Sequence, residues 1–323
     1  MRAVQLVSET QGLQLVDWPM PDPKEGFNII QVSHAALNHR DLWISKGRYA
    51  GIKYPVILGS DVCAFDENKR RVIVNPGFNW GDDPRVQSKS FHILGMPEHG
   101  SFAEYVSVPV QHIYSAPAHL TDAQVSALPL AGITAYRTLV IKCKPQPGEN
   151  LLITGIGGGV ALMVLQFALA LKLNVYVSSS DHSKIEQAIQ LGAKGGVNCL
   201  DSKWDVEVLE QSGGFDMIVD SAGGESFSKF PKICKPAARI AMYGGTNGVI
   251  SNLSPQQLFW KQISIYGSTM GSPSEFAEML SFIIQFKIIP IVDSIYELAD
   301  FNSAFNRMNS KQQFGKIVLN VSK

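Results

Sequence analysis

From Asn150 to Gly267 the chain alternates short apolar runs with stretches of helical spacing, and no other feature constrains its fold as tightly. Strands are expected at 150–154, 174–178, 195–198, 215–220, 238–243 and 262–267, with helices at 158–171, 182–191 and 225–233. Strands separated by helices run parallel, because each crossover returns the chain to the same end of the sheet. The expected fold class is α/β, with a doubly wound parallel sheet.

The first strand of that series, "NLLIT", leads into "GIGGGVALM" at 155–163 and on into an apolar helix. Strand, glycine turn and helix in this order are what a Rossmann-type dinucleotide site requires. The backbone must reach the pyrophosphate with no Cβ in the way, and the helix N-terminus must face it. Gly157, Gly158, Gly159 and Val160 are therefore candidate cofactor contacts. The spacing departs from G-x-G-x-x-G, since Gly155 and Gly157 are followed by Val160 at the third position. The next strand ends "VSSSDHSK", where an acid would hold the adenosine ribose. Ser179 stands at that place and Asp181 comes two residues late. Without a carboxylate there, Ser179, Ser180 and Lys184 can donate to a 2′-phosphate, which points to NADPH rather than NADH.

The first third reads differently. "RAVQLV", "LQLVDW", "FNIIQVSHAAL" and "RRVIVNP" are short strand-like runs divided by turn residues, and 75–100 is a surface lobe rich in Gly, Pro, Asp and Ser. After a last helix near 273–286, "IPIVDSIYEL", "FNSAFNRMN" and "GKIVLNV" read as strand, helix and strand of the same character. The expected organisation is a discontinuous β-rich domain, 1–122 and 289–323, with the dinucleotide-binding domain inserted at 123–288.

Of the 323 residues, 45% are hydrophobic and 17% charged, so a packed core is expected and disorder is not. Lys plus Arg and Asp plus Glu both number 28, which argues against a nucleic-acid partner held by phosphate neutralisation. No apolar run reaches membrane-spanning length, so no membrane association is expected. Cys63, Cys143, Cys199 and Cys234 form no C-x-x-C pair, and reduced thiols in a cytoplasmic protein are the expectation.

"HGSFAEYV", "ALPLAGITAYRTL", "FDMIVDSAGG" and "GKIVL", in that order over nearly the whole chain, resemble the medium-chain dehydrogenases/reductases. Within that superfamily the chain is similar to the zinc-free, quinone oxidoreductase-like branch. The resemblance implies a GroES-like catalytic domain beside the Rossmann-type domain, NADPH as cofactor, a quinone or α,β-unsaturated carbonyl (an enone) as acceptor, and a homodimer. The zinc ligands of the superfamily's alcohol dehydrogenases would fall on Asn38 in "LNHRD", Ser60 in "GSD" and Leu130 in "LPLAG". None of these is a thiolate or an imidazole, so no metal is expected. His34, His39, His92 and His99 form no ligand set by their spacing.

The resemblance assigns Thr134 to the nicotinamide side of the cofactor. Tyr243-Gly244 and Gly267-Ser268 end strands of the sheet, where ligands of such folds bind. Contacts to the acceptor oxygen fall to Asn38, Tyr49 and Tyr54, a tyrosine relaying a proton to the developing enolate. Lys316 lies either near the cofactor or simply in a strand, and Cys199 stands where the superfamily has an adenine-stacking Tyr. Two alternatives stay open. One is an NADP(H)-binding protein with a structural or regulatory role and little turnover. The other is an alcohol dehydrogenase-like reductase of aldehydes or ketones.

Overall fold

Six parallel strands carry the middle of the chain, in the order Gly195–Asn198, Asn174–Ser179, Asn150–Thr154, Phe215–Asp220, Cys234–Met242 and Ser264–Gly267. Numbered along the chain, that order is 3-2-1-4-5-6, the Rossmann arrangement. Its strands read as apolar runs because helices cover both faces: Leu151, Leu152, Ile153, Met217, Ile218 and Val219 are all fully buried. The helix Gly159–Ala170 contributes Leu162, Val164, Leu165 and Phe167 to the same interior.

The computed structural model describes residues 1–322. The six-stranded sheet belongs to a unit formed by Thr134–Met270, and the second unit joins Met1–Ile133 to the chain from Gly271 onward. The division therefore falls at 133/134 and 270/271, not at 122/123 and 288/289. The expected boundary followed the change of sequence rhythm, but packing decides the unit. The helix Asp122–Ser126 packs on the β-rich sheet, with Ala123 and Ala127 against Ala36 and Val318. The helix Pro273–Phe286 also belongs to that unit, and the Tyr114 ring lies 5.1 Å from that of Phe276.

In the discontinuous unit the strand Phe27–Ala36 is the axis. It pairs antiparallel with Tyr105–Pro109, with Asp61–Phe65 and with Lys316–Asn320. A core of Leu6, Ile30, Leu37, Ile44, Phe102 and Phe305 lies behind it, with the Phe102 and Phe305 rings edge to face at 6.2 Å.

Two elements have weak sequence signals. The helix Trp204–Ser212 buries only Trp204 and Val208, too sparse a stripe to show as helical spacing. The helix Pro255–Lys261 fully buries no side chain, and Leu258 is only half-buried. The segment expected as a helix at 225–233 begins as a 3₁₀ turn, Glu225–Lys229, and becomes α-helical only at Phe230–Ile233. The Phe227 and Phe230 rings, 4.9 Å apart and both buried, fix that tighter path.

Candidate active site

In the Rossmann-type unit, strands 1 and 4 are neighbours, and their C-terminal ends mark the topological switch point where open α/β sheets bind ligands. The two ends are tied together. Thr154 Oγ1 donates to Asp220 Oδ1 at 2.6 Å, and the Ser221 amide donates to Thr154 Oγ1 at 3.1 Å. The Gly223 amide closes the turn on Asp220 Oδ2 at 2.7 Å. Burial raises the Asp220 carboxyl above its ordinary range, opposed by the hydrogen bonds from Thr154 and the turn amides.

The glycine turn sits on this platform. Gly155 has φ +65°, and a Cβ there would stand 2.7 Å from Ser221 Oγ. Gly158 differs: a Cβ there would meet nothing nearer than the Gly155 carbonyl at 4.0 Å. The protein leaves room at Gly158, so glycine there is suited to close approach by something other than the protein. Gly158 is also the N-cap of the helix Gly159–Ala170 and offers no side chain to its first-turn amides. Those amides and the positive end of the helix remain available to an anion. Lys184 runs across the turn, its Cδ 2.7 Å and its Nζ 3.4 Å from where a Gly157 Cβ would be. Gly157, Gly158, Gly159 and Val160 thus come together at the open N-terminus of that helix, with Lys184 across the turn.

Ser179 ends its strand buried, and its Oγ accepts the Asp181 amide at 3.1 Å. Asp181 is the N-cap of the helix His182–Gln190, and its Oδ1 accepts from the amide and hydroxyl of Ser183 at 2.9 and 2.8 Å. Those bonds hold its carboxyl below the usual range. The late acid is therefore a helix cap, and Ser180 is exposed beside it.

Farther along the sheet, Gly244 lies against the Ser221 carbonyl, where a Cβ would stand 2.5 Å away. Burial pushes the Tyr243 phenol up, against a hydrogen bond with Ser221. Ser268 donates its amide to the Met242 carbonyl at 2.8 Å, yet its buried Oγ has no partner among the described residues. The neighbouring Gly267 has open space where its Cβ would be. A buried hydroxyl without a partner costs about 1–3 kcal/mol, so its persistence fits a ligand that completes it. Thr134 is buried, with its Oγ1 3.8 Å from Met270 Sδ. A nicotinamide dinucleotide fits these residues.

The discontinuous unit holds a second cluster, and strand register explains it. Val318 lies opposite Ala36, so two residues back in the antiparallel ladder Lys316 falls opposite Asn38. Asp61 pairs with Ala36 from the other side. Lys316 Nζ donates to Asn38 Oδ1 at 2.6 Å and to Asp61 Oδ2 at 2.8 Å. Asn38 Nδ2 donates to Asp61 Oδ2 at 3.0 Å and to Ser60 Oγ at 3.1 Å. Asp61 Oδ1 accepts the Leu130 amide at 2.8 Å, at the start of the helix Pro129–Tyr136. Asp41 Oδ2 accepts the Asn38 amide at 2.8 Å, while its Oδ1 has no hydrogen bond among the described residues and lies 3.9 Å from Arg40 Nη1. Burial raises the Asp41 carboxyl to about 6, offset in part by Arg40 and by the Asn38 amide.

Asn38 is therefore bonded on both sides within the protein. Tyr49 is half-buried against the core with the Arg40 guanidinium 5.5 Å from its ring, and Tyr54 is exposed. Neither phenol hydrogen-bonds to the cluster among the described residues. Sequence reasoning passed over Asp61, Thr154 and Asp220, whereas Asp41, three residues after Asn38, has the spacing of a residue that caps or orients the loop, and it accepts the Asn38 amide. Of the three passed over, only the acid after Ser60 carried a usable signal, as part of "GSD".

The alcohol dehydrogenases of the resembled superfamily hold zinc, and the donor set here does not suit it. The three expected ligand positions carry an amide, a hydroxyl and an aliphatic chain, and an ammonium stands among them. Among the described residues no group of three or more His, Cys, Asp or Glu is placed to hold a metal. His99 Nδ1 accepts the Ile57 amide, and His34 Nδ1 lies 2.9 Å from Ser33 Oγ, each in its own local contact. No helix among the described residues is long and apolar enough to cross a membrane.

Residues 159–285 match the family described as zinc-binding dehydrogenase, and residues 24–118 match the alcohol dehydrogenase GroES-like domain. A zinc-type alcohol dehydrogenase-like protein, YogA, of Leptosphaeria maculans is 34% identical over 342 residues, covering 96% of this chain and 94% of the relative. An acryloyl-coenzyme A reductase of Sulfurisphaera tokodaii is 26% identical over 339 residues, covering 99% of each. A solved NAD-dependent alcohol dehydrogenase superposes with a TM-score of 0.92 at 30% identity, over 100% of both chains.

Proposed function

We propose, from the premise that this chain belongs to the medium-chain dehydrogenase/reductase superfamily, that it is a zinc-independent, NADPH-dependent reductase of quinones or α,β-unsaturated carbonyl compounds. The observation that carries the reading is the open cradle at Gly158, set at a helix N-terminus on the switch point of the sheet. When bound, the nicotinamide supplies the hydride; the protein supplies position and electrostatics. The turn amides hold the pyrophosphate. Ser179 and Ser180 take the 2′-phosphate, helped by Lys184 and unopposed by Asp181, whose carboxylate caps its own helix. Thr134, Tyr243, Gly244, Gly267 and Ser268 line the nicotinamide half. Tyr49 or Tyr54 donates a proton to the oxygen on which negative charge develops.

An acceptor already polarised by conjugation suits a site without Lewis acid chemistry, and one relative reduces acryloyl-coenzyme A by its name. The alcohol dehydrogenase names of other relatives favour the second reading, a reductase of aldehydes or ketones. The edge strand Ser264–Gly267 is bordered by Phe259 and Trp260, 59% and 79% exposed, and a second copy pairing there makes a homodimer.

The test is a fluorescence titration with NADPH and NADH, followed by turnover on quinones, enones and aldehydes in the presence of a chelator. NADPH is expected to bind about tenfold tighter, the value of one charge-assisted hydrogen bond. Ser179→Asp should move the preference toward NADH. Dissociation constants within about threefold of each other would remove the NADPH assignment, since that is under 1 kcal/mol. Tight binding with turnover on none of the panel would favour a structural or regulatory role. Turnover confined to aldehydes would favour the second reading.

A further inference from the structure

Of Asn38, Ser60 and Leu130, the positions where the resemblance puts the zinc ligands of alcohol dehydrogenases, Asn38 and the Leu130 amide bond to Asp61 and Ser60 bonds to Asn38, and the Lys316 ammonium meets Asn38 and Asp61. Lys316 is 5% exposed, Asn38 8%, and Ser60 and Asp61 not at all. A buried carboxylate needs a compensating charge. Asp61 has an ammonium at 2.8 Å, and that ammonium also reaches Asn38 Oδ1 at 2.6 Å. The other charges near the cluster, Asp41 and Arg40, face each other at 3.9 Å.

We propose that Lys316 is a built-in cation, which balances Asp61 in place of a divalent metal and keeps metal ions away from the oxygens Asn38 Oδ1 and Asp61 Oδ2. Without the ammonium, a carboxylate and a carboxamide would present oxygen to one point, donors that suit hard cations such as Mn²⁺. With it, the point is filled by a nitrogen at hydrogen-bond distance from both. The nitrogen is tethered to a central strand of the sheet, so a free ion has to displace a group that cannot diffuse away. The ammonium supplies charge but has no vacant coordination position, and it cannot bind a substrate oxygen as a Lewis acid does. The inference rests on the zinc-independent reading above.

The experiment compares melting temperature and metal content of the full-length protein with those of Lys316→Ala and Lys316→Met. Wild type should hold well under one equivalent of zinc per chain, and millimolar Mn²⁺ should leave its melting point unmoved. Lys316→Ala should melt about 5 °C lower or more, and Mn²⁺ or n-propylammonium should restore at least half of that loss. Lys316→Met, whose side chain fills the space, should melt low and respond to neither. Blindness of Lys316→Ala to both cations overturns the proposal, as does stabilisation of the wild type by Mn²⁺. If Lys316→Ala does not fold, the pair Lys316→Met and Lys316→Met/Asp61→Leu decides. The double variant melting above the single one supports charge balance, and an equal or lower melting point overturns it. A full equivalent of zinc in the wild type removes both this inference and the zinc-independent reading. A cation-blind Lys316→Ala beside a zinc-free wild type removes this inference alone.

Discussion

The glycine turn at 155–160 and the polar cluster around Asp61 both form where strands end, yet they are opposite kinds of structure. The turn is open: there is room at Gly158 and no side chain caps the helix behind it. The cluster is closed: Asn38 and Lys316 satisfy one another, Asp61 and Ser60 within the protein. An open site keeps its hydrogen-bonding capacity for a ligand, whereas a closed one uses it to hold the fold. Substitutions in the turn should be felt as binding, and substitutions in the cluster as stability.

The largest effect is expected at Asp61. Asp61→Ala leaves the Lys316 ammonium buried without its counter-charge and the Leu130 amide without its acceptor. Breaking a buried pair in this way costs about 3–5 kcal/mol, to be read by denaturant unfolding. NADPH affinity of the folded fraction should stay within about twofold, under 0.5 kcal/mol. A variant as stable as the wild type would mean the cluster is not a fold-holding element.

Gly158→Val should give the mirror image. A side chain there deprives the pyrophosphate of two charge-assisted hydrogen bonds, which costs about 3 kcal/mol, near a hundredfold in dissociation constant, while the melting point hardly moves. Equal affinity in an intact fold would reduce the turn to a connection.

Asp41 sharpens the comparison through pH. Its carboxyl rises from 3.8 to about 6 on folding. Between those values the folded chain holds a proton that the unfolded chain has released. The associated stability is complete below pH 3.8 and is lost as pH rises through about 6. Asp41→Asn keeps an acceptor for the Asn38 amide but does not titrate. The stability of the variant relative to wild type should therefore improve by on the order of 2 kcal/mol between pH 4 and pH 7. A gap that does not change with pH would show that Asp41 is no more protonated in the folded chain than in the unfolded one.

The smallest effect tests the unpartnered hydroxyl. Ser268→Ala should leave stability unchanged or slightly raised, and weaken NADPH binding about fivefold, roughly 1 kcal/mol. Loss of stability without loss of affinity would put the hydroxyl in the fold and not in the site.

The same contrast explains what could be read from sequence. The turn is one contiguous stretch whose neighbours are set by a single strand and helix, so "NLLITGIGGGVALM" displays it whole. The strands 150–154 and 215–220 were legible to the residue because each is an apolar run almost wholly buried. The cluster is assembled by register: Asn38 meets Lys316 across 278 positions of chain, and no local pattern encodes such a meeting. Asp181 is legible as an ordinary helix start, and the fold adds that its oxygen accepts from Ser183. The unit boundaries were misplaced because the helices Asp122–Ser126 and Pro273–Phe286 have the rhythm of the Rossmann-type half but bury their apolar faces with the other.

The strand Lys316–Asn320 sets a timetable for the chain as it is made. It covers the end of Phe27–Ala36, from His34 to Ala36, and it leaves the ribosome after the whole Rossmann-type unit has emerged. At about 5–20 residues per second that interval is roughly 15–60 s. The continuous unit Thr134–Met270 has time to close on its own, while the older strand waits with backbone donors and acceptors unpaired. A nascent chain of this kind calls for a holding chaperone during that wait, and one halted before Lys316 keeps an exposed edge that invites association with its neighbours.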